Sequence, residues 1–287
     1  MNFFLKLKRK FFKKNKTIFY IDKSNDLDLL HKEIDKTDAI CIDTEFDWRK
    51  TYFPNLSLIQ ISTKSSIFLI DYLKVKPKIF LKEILESSNI LKIFHSVRSD
   101  ATIFNSSLKT SMKNVFDIQI AEKVINRNDE VKNYGYLVFK YTGLNLEKSE
   151  TNSNWLKRPL TYDQINYAID DVRYMFDIFF KQKNRLKEIG LFNNVLSESH
   201  KESMKGEVDL LESRLKRESK RLNSFQKKIF IWRENKAMEM NLPPNYIFNS
   251  KDLIRLSKIS RDDLLEKKIF KVLGDSQLVK DFIKSIF

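Results

Sequence analysis

The segment AICIDTEF at residues 39–46 combines a β-rich apolar run with two acidic side chains. Successive side chains of a strand point to opposite faces, so Asp43 and Glu45 share one face of this strand. Two neighbouring carboxylates repel each other unless a cation neutralises them, and their hard oxygen ligands suit Mg²⁺ or Mn²⁺. The alternative is that both acids end an exposed edge strand and are only solvated. The segment by itself leaves both interpretations open.

Further β-rich runs surround this segment. A short strand is predicted over 17–21, and the runs at 56–62 and 66–71 follow 39–46 in quick succession, which predicts an antiparallel meander. Beyond a strand-like run at 91–95, the pattern changes to alternating strands and helices. Together these patterns predict a mixed sheet covered by helices, which is an α/β architecture.

The C-terminal third of the chain has no strand pattern. From residue 222 onward, apolar side chains recur at three- and four-residue steps, the spacing of one buried helical face. These positions are Leu222, Phe225, Ile229 and Trp232. We therefore predict four segments: a basic arm over 1–16, an α/β domain over 17–190, a helical connector over 191–213 and an all-helical domain over 214–287.

The composition limits the class of protein. With 42% hydrophobic residues and 23 Phe among 287 residues, the chain can fill a large core without disulfides or metal. The single cysteine, Cys41, indicates a reducing compartment. No run approaches the roughly 18 continuous apolar residues of a membrane span. We therefore expect a cytoplasmic protein with no membrane partner and infer no obligate protein partner.

The net charge of +15 is distributed unevenly. Residues 1–16 contribute +7 and residues 214–236 another +7, whereas 17–190 carries only +2. A uniform bias in codon use would spread the charge evenly. The segregation instead predicts two basic regions that bind a polyanion, flanking a nearly neutral domain. A solvated tail at 1–16 would have a similar composition.

Two further acids, Asp100 and Asp171, accompany the pair in the strand over 39–46. Asp100 follows the run at 91–95 near a predicted helix start, where an acid is also routine because the helix dipole favours negative charge. Tyr167 and Asp171 are four residues apart and share one face of a predicted helix, which is common on ordinary surfaces. The ordered set of four acids and a phenol favours a metal-dependent site more than any member does alone.

At this point the chain resembles a known family. DTEF at 43–46, the segment 95–100 and Tyr167-xxx-Asp171 resemble the three exonuclease motifs of the DEDD superfamily, in the subgroup with Tyr in the third motif. Residues 17–187 are similar to the catalytic domain of ribonuclease D. The shared segments are TYFPNLSLIQ at 51–60, DIQIA at 117–121, LEKSE at 146–150 and NWLKRPLT at 154–161.

Residues 214–287 resemble one HRDC domain, most clearly in WRENKAMEMNLPPNYIF. Some members of the ribonuclease D family carry two such modules. The resemblance implies a ribonuclease H-like mixed sheet flanked by helices, followed by a small HRDC-like helical domain. It also implies that this helical domain assists in binding nucleic acid.

The resemblance implies a mechanism as well. Asp43, Glu45 and Asp171 would hold one divalent metal ion, Asp43 and Asp100 would hold a second, and Tyr167 would orient the attacking water. The ions would be Mg²⁺ or Mn²⁺. The implied activity is hydrolysis of RNA from the 3′ end with release of nucleoside 5′-monophosphates, and the implied partner is precursor tRNA or another structured RNA.

Five other side chains are predicted to contact the substrate. They are Gln60, His95, Lys148, Trp155 and Arg158. Aromatic rings stack on unpaired bases, and basic side chains neutralise phosphates. Trp155 is equally typical of a core residue, and the two basic side chains of a solvated surface. A DNA exonuclease of the same superfamily, or a non-catalytic nucleic-acid-binding module, remains an alternative function.

Overall fold

The computed structural model describes residues 16–146, 150–262 and 264–287. The chain forms two compact units: unit 1 contains the residues up to Asp47 together with Asn55–Glu207, and unit 2 contains Trp48–Pro54 and Val208–Phe287. The basic arm, apart from Lys16, lies outside the described residues. The domain boundaries drawn from the sequence stay a prediction.

Unit 1 contains a mixed sheet of six strands. They are β1 (Thr17–Ile21), β2 (Ala39–Asp47), β3 (Asn55–Ser62), β4 (Ser66–Asp71), β5 (Leu91–Phe94) and β6 (Val115–Asp117). Their order is β1-β4-β3-β2-β5-β6. Strand β3 is antiparallel to β2 and β4, and the other neighbouring pairs are parallel. The predicted mixed sheet and antiparallel meander are confirmed.

Eight α-helices belong to unit 1 as described. They are α1 (Leu27–Ile34), α2 (Lys78–Glu86), α3 (Arg98–Leu108), α4 (Ile118–Asn126), α5 (Tyr134–Thr142), α6 (Tyr162–Arg173), α7 (Met175–Glu188) and α8 (Phe192–Gly206). The sequence pattern predicts one helix from residue 161 to about 186, but the structure has two helices there, α6 and α7, which are separated at Tyr174. Thr161 caps α6, since its Oγ1 accepts the Gln164 N–H at 3.1 Å.

Two apolar cores cover the two faces of the sheet. On one face, Cys41 of β2 and Ile93 of β5 pack against helices α4 to α8. On the other face, Ile42 and Ile59 pack against α1, α2 and α3. Because neighbours in a strand alternate between faces, Asp43 lies on the Cys41 face. Asp43 and Glu45 therefore follow Cys41 on the face of β2 that α6 covers, just after the strand leaves the apolar core.

Unit 2 is helical as described. Its helices are α9 (Leu210–Glu218), α10 (Ser224–Glu239), α11 (Pro244–Ile247), α12 (Ser250–Leu256), α13 (Leu265–Leu273) and α14 (Ser276–Ile286). They share a core that includes Ile229, Leu256 and Phe282. The predicted small all-helical domain is confirmed. Among the described helices, none has the length and apolar character needed to cross a membrane.

The loop between β2 and β3 is part of the core of unit 2. Tyr52 is fully buried there, and the backbone N–H groups of Tyr52 and Phe53 both donate to Oδ1 of Asn241 at 3.2 Å. The Arg214 guanidinium lies over the Tyr52 ring at 4.5 Å. Seven residues from between two strands thus complete a helical core.

Candidate active site

Three carboxylates converge where β2 leaves the core. Asp43 and Glu45 of β2 and Asp171 of α6 each place a carboxylate oxygen within 4.8 Å of the others, and all three side chains are half-buried. Alternation along β2 points its two acids the same way, and α6 packs against the same strand. Residues more than a hundred positions apart in the sequence therefore form one acidic cluster.

Asp100 approaches the same strand from the first turn of α3. It is buried, and its Oδ1 accepts a hydrogen bond from the Thr44 hydroxyl at 2.6 Å. Asp100 lies close enough to Asp43 for its charge to raise the pKa of that carboxyl group. The four acids predicted from the sequence are therefore brought together, with Asp100 on the Thr44 side of the strand.

The electrostatics of this cluster disfavour four ionised carboxylates. Burial raises the pKa of Asp43 well above its usual range, and the charges of Asp100, Asp171 and Glu45 raise it further. Burial also raises the pKa of Glu45, and the charges of Asp171 and Asp100 raise it further. Burial raises the pKa of Asp100 to about 7, although the hydrogen bond from Thr44 lowers it. Because a cation relieves both repulsion and desolvation, the cluster fits a divalent metal.

Tyr167 lies one helical turn before Asp171 on the same face of α6. Its hydroxyl is 3.4 Å from Oγ1 of Thr151, and its ring is 6.0 Å from that of Trp155. Burial and the Asp171 charge raise the pKa of Tyr167 above its usual range. The phenol is therefore protonated at neutral pH. It can hold a water molecule by hydrogen bonding but is a poor base.

Asp43, Glu45 and Asp171 line a cleft of about 350 Å³ in unit 1. His95 and the start of α5 at Asn133, Tyr134 and Gly135 also line it. Nε2 of His95 lies 3.2 Å from the Lys132 carbonyl oxygen, which fixes the ring in the wall. The sequence analysis predicted His95 as a substrate contact and missed the start of α5. Asn133 carried a detectable signal, because it caps α5 by accepting the Tyr136 N–H.

Of the other predicted substrate contacts, the three that the structure describes do not line this cleft. Gln60 is fully buried opposite Asp43 in the register of β2 and β3. Trp155 is a core residue with 2% of its surface exposed. Both contacts stay predictions from the sequence. Lys148 lies outside the described residues.

Arg158 forms an internal ion pair. Its Nε lies 2.7 Å from Oδ2 of Asp71 and its second terminal nitrogen 2.9 Å from Oδ1, and Asp71 is fully buried. The guanidinium also donates to the carbonyl oxygens of Ser57 and Trp155. Arg158 thus fastens the segment that carries Trp155 to strands β3 and β4.

Comparisons with known proteins identify the family of this chain. A family model described as 3′-5′ exonuclease matches residues 18–187. The ribonuclease D of Desulfotalea psychrophila is 31% identical over 258 residues, which cover 83% of this chain and 66% of that protein. The ribonuclease D of Xanthomonas oryzae is 39% identical over 149 residues, covering 52% of this chain and 41% of its own. The chain thus spans less than two thirds of the length of these relatives.

Solved structures share the fold. The crystal structure of Escherichia coli RNase D, described as an exoribonuclease involved in structured RNA processing, aligns with a TM-score of 0.81 and 27% identity. The alignment covers 95% of this chain and 73% of that one. The catalytic core of Trypanosoma brucei RRP6 shares the fold with a TM-score of 0.69 at 23% identity. The resemblance expected from the sequence is confirmed.

Proposed function

The chain belongs to the 3′-5′ exonuclease family, and we propose that it is a metal-dependent 3′-to-5′ exoribonuclease that releases nucleoside 5′-monophosphates. The observation that carries this proposal is the convergence of the carboxylates of Asp43, Glu45 and Asp171 beside the Tyr167 phenol. RNA is the proposed substrate because relatives of this chain bear the name ribonuclease D.

The proposed cofactors are two divalent ions, Mg²⁺ or Mn²⁺. Asp43, Glu45 and Asp171 would hold one ion, and Asp43 together with Asp100 would hold the other. Such ions, when bound, lower the pKa of coordinated water and stabilise charge on the attacking and leaving oxygens of a phosphoryl displacement. The donor set supports this assignment, since every side chain in it offers carboxylate oxygens.

The remaining residues act by binding and orientation. The protonated Tyr167 hydroxyl holds the attacking water. Thr151, in the loop between α5 and α6, supports that hydroxyl. His95 lines the same cleft as the acids, where it contacts the 3′-terminal nucleotide. Trp155 and Arg158 support the site through the loop segment that they anchor.

Precursor tRNA is the proposed physiological substrate. The basic region over 214–236 supports a structured RNA, but only part of it is available for phosphates. Exposed side chains are Lys216, Arg217, Lys220, Arg221 and Lys228. Arg214 and Arg233 instead bind the buried Glu234 at 2.9 Å each. The HRDC-like unit therefore binds RNA with exposed basic side chains of α9, of α10 and of the turn between them.

The decisive experiment is digestion of a labelled, 3′-extended tRNA with Mg²⁺ or Mn²⁺, with products resolved by length and by thin-layer chromatography. Stepwise shortening with release of 5′-monophosphates is expected for the wild-type protein. Asp171→Asn keeps the shape of the side chain and should abolish release. Asp163→Asn, an exposed acid in the first turn of the same helix, is the matched control and should retain full activity. Full activity of Asp171→Asn would refute the metal assignment.

The same assay separates the alternatives. The metals act on the phosphate and do not sense the 2′ hydroxyl, so the acidic cluster does not by itself select RNA over DNA. Digestion of matched single-stranded RNA and DNA oligomers therefore distinguishes a ribonuclease from a DNA exonuclease. Binding of RNA without metal and without nucleotide release would instead identify a non-catalytic module.

A further inference from the structure

The junction between α6 and α7 contains a side chain from another helix. In a continuous helix, the carbonyl of Asp170 would accept the N–H of Tyr174, four residues later. Here the helix is interrupted at Tyr174, whose φ is −100° and ψ is −5°. The Tyr134 hydroxyl donates to the Asp170 carbonyl oxygen at 3.1 Å.

The same hydroxyl accepts the backbone N–H of Tyr174. A phenol can donate one hydrogen bond and accept another, so a single oxygen links both halves of the missing helical bond. Insertion of a side chain into the backbone ladder is a recognised cause of a helix kink. Burial holds the pKa of Tyr134 far above its usual range, so the hydroxyl keeps its proton.

Tyr134 is itself held firmly in unit 1. Its side chain has only 8% of its surface exposed and belongs to the core that covers the Cys41 face of the sheet. Its ring lies 5.6 Å from that of His95, and Asn133 fixes the first turn of α5 before it. The hydroxyl position is therefore set by the packing of Tyr134 and of the first turn of α5.

We propose that Tyr134 is a positioning residue that sets the break between α6 and α7 and thereby the placement of Asp171 against the acids of β2. The bonded carbonyl belongs to the residue directly before Asp171, and Met175, the first residue of α7, also lines the cleft. The first turn of α5 and the end of α6, which both contribute residues to the cleft, are thus coupled through one phenol oxygen. This inference rests on the proposed function for its catalytic consequence, but its structural claim is independent.

The test compares Tyr134→Phe with Tyr141→Phe. Each variant loses one hydrogen-bonded hydroxyl and keeps its ring, but the Tyr141 hydroxyl donates to Glu122 at 2.6 Å and Tyr141 does not line the cleft. Calorimetric titration with Mn²⁺ should show a Kd about fivefold higher for Tyr134→Phe, and kcat on a short RNA oligomer should fall about tenfold with KM within about twofold, since both hydrogen bonds of the Tyr134 hydroxyl are lost. Tyr141→Phe should match the wild-type protein in all three quantities.

A folded Tyr134→Phe protein that binds Mn²⁺ within about twofold of wild type overturns the inference, whatever its rate. If the wild-type protein binds Mn²⁺ but releases no nucleotide, the proposed function fails while the titration still decides the role of Tyr134. A wild-type protein that binds no Mn²⁺ overturns both.

If Tyr134→Phe does not fold, hydrogen exchange of the wild-type protein decides the inference. The Tyr174 amide should exchange as slowly as the helical Val172 amide, because the phenol oxygen protects it. Exchange at the rate of an exposed amide would overturn the bridge.

Discussion

Replacing Arg158 by Met would leave the fully buried carboxylate of Asp71 without its bidentate partner. The Tyr20 hydroxyl, which donates to Oδ2 of Asp71 at 2.8 Å, would be its remaining side-chain donor among the described contacts. Breaking a buried ion pair from one side typically costs about 3 to 5 kcal/mol, because the other charge stays buried. For a unit of this size, that loss corresponds to a fall in Tm of about 6 to 20 °C.

The effect should depend on pH with a defined sign. Burial raises the pKa of Asp71, but the hydrogen bonds from Arg158 and Tyr20 outweigh it and hold the pKa below its usual range. The stabilisation from ionised Asp71 is therefore present above the unfolded pKa of about 4 and is lost as pH falls through the folded pKa. The variant should be far less stable than the wild-type protein at pH 7, and the difference should shrink in acid.

Chemical unfolding followed by circular dichroism at several pH values measures this difference. Arg185→Met is the matched control, since the Arg185–Glu188 pair is exposed, with 59% and 64% of the two side chains accessible. An exposed pair contributes about 0 to 1 kcal/mol. If Arg158→Met is no less stable than Arg185→Met, Arg158 is not the anchor described above, and a direct role in binding phosphate becomes the better explanation.

Three further outcomes are expected. Tyr167→Phe should lower kcat by about 10² or more while leaving Mn²⁺ affinity unchanged, because the hydroxyl orients water and holds no metal; a wild-type rate would remove Tyr167 from the mechanism. Lys216→Glu with Lys220→Glu should weaken binding of structured RNA and flatten its salt dependence by about two ions, while release from short oligomers is kept; an unchanged salt slope would contradict the role of α9 and of the turn that follows it. Mn²⁺ affinity should rise with pH through about 7, since Asp100 must lose its proton to bind metal; calorimetry showing equal affinity at pH 6 and 8 would exclude Asp100 as a ligand.

The sequence predicted those features that depend on local periodicity. Strand β2 and its two acids follow from alternation, and the spacing of Tyr167 and Asp171 follows from one helical turn. The meander was predictable because Pro54-Asn55 marks a turn between two β-rich runs. Each of these signals lies within about ten residues of chain.

The features that could not be predicted depend on contacts between distant residues. Arginine is a residue type that commonly binds phosphate, so the sequence favours that role for Arg158. Only its distance to Asp71, 87 residues earlier, reveals an internal partner. The break at Tyr174 has no glycine or proline beside it that would predict it from the sequence. The hydroxyl that replaces the helical hydrogen bond comes from Tyr134, which is forty residues earlier in the chain. Strand β6 is three residues long, too short for alternation to be recognised.

The β2–β3 loop has a consequence for how the two units can be separated. The chain passes out of β2, contributes Tyr52 to the helical core and returns to β3, so the boundary is crossed there as well as near residue 207. Division of the gene near codon 207 would therefore yield an N-terminal fragment in which Tyr52 has lost its packing partners. The C-terminal fragment would have a cavity in its helical core in place of the Tyr52 ring. Exchange of the helical unit between genes would require two matched recombination events, and a protease acting on the loop would loosen the helical core without severing its helices.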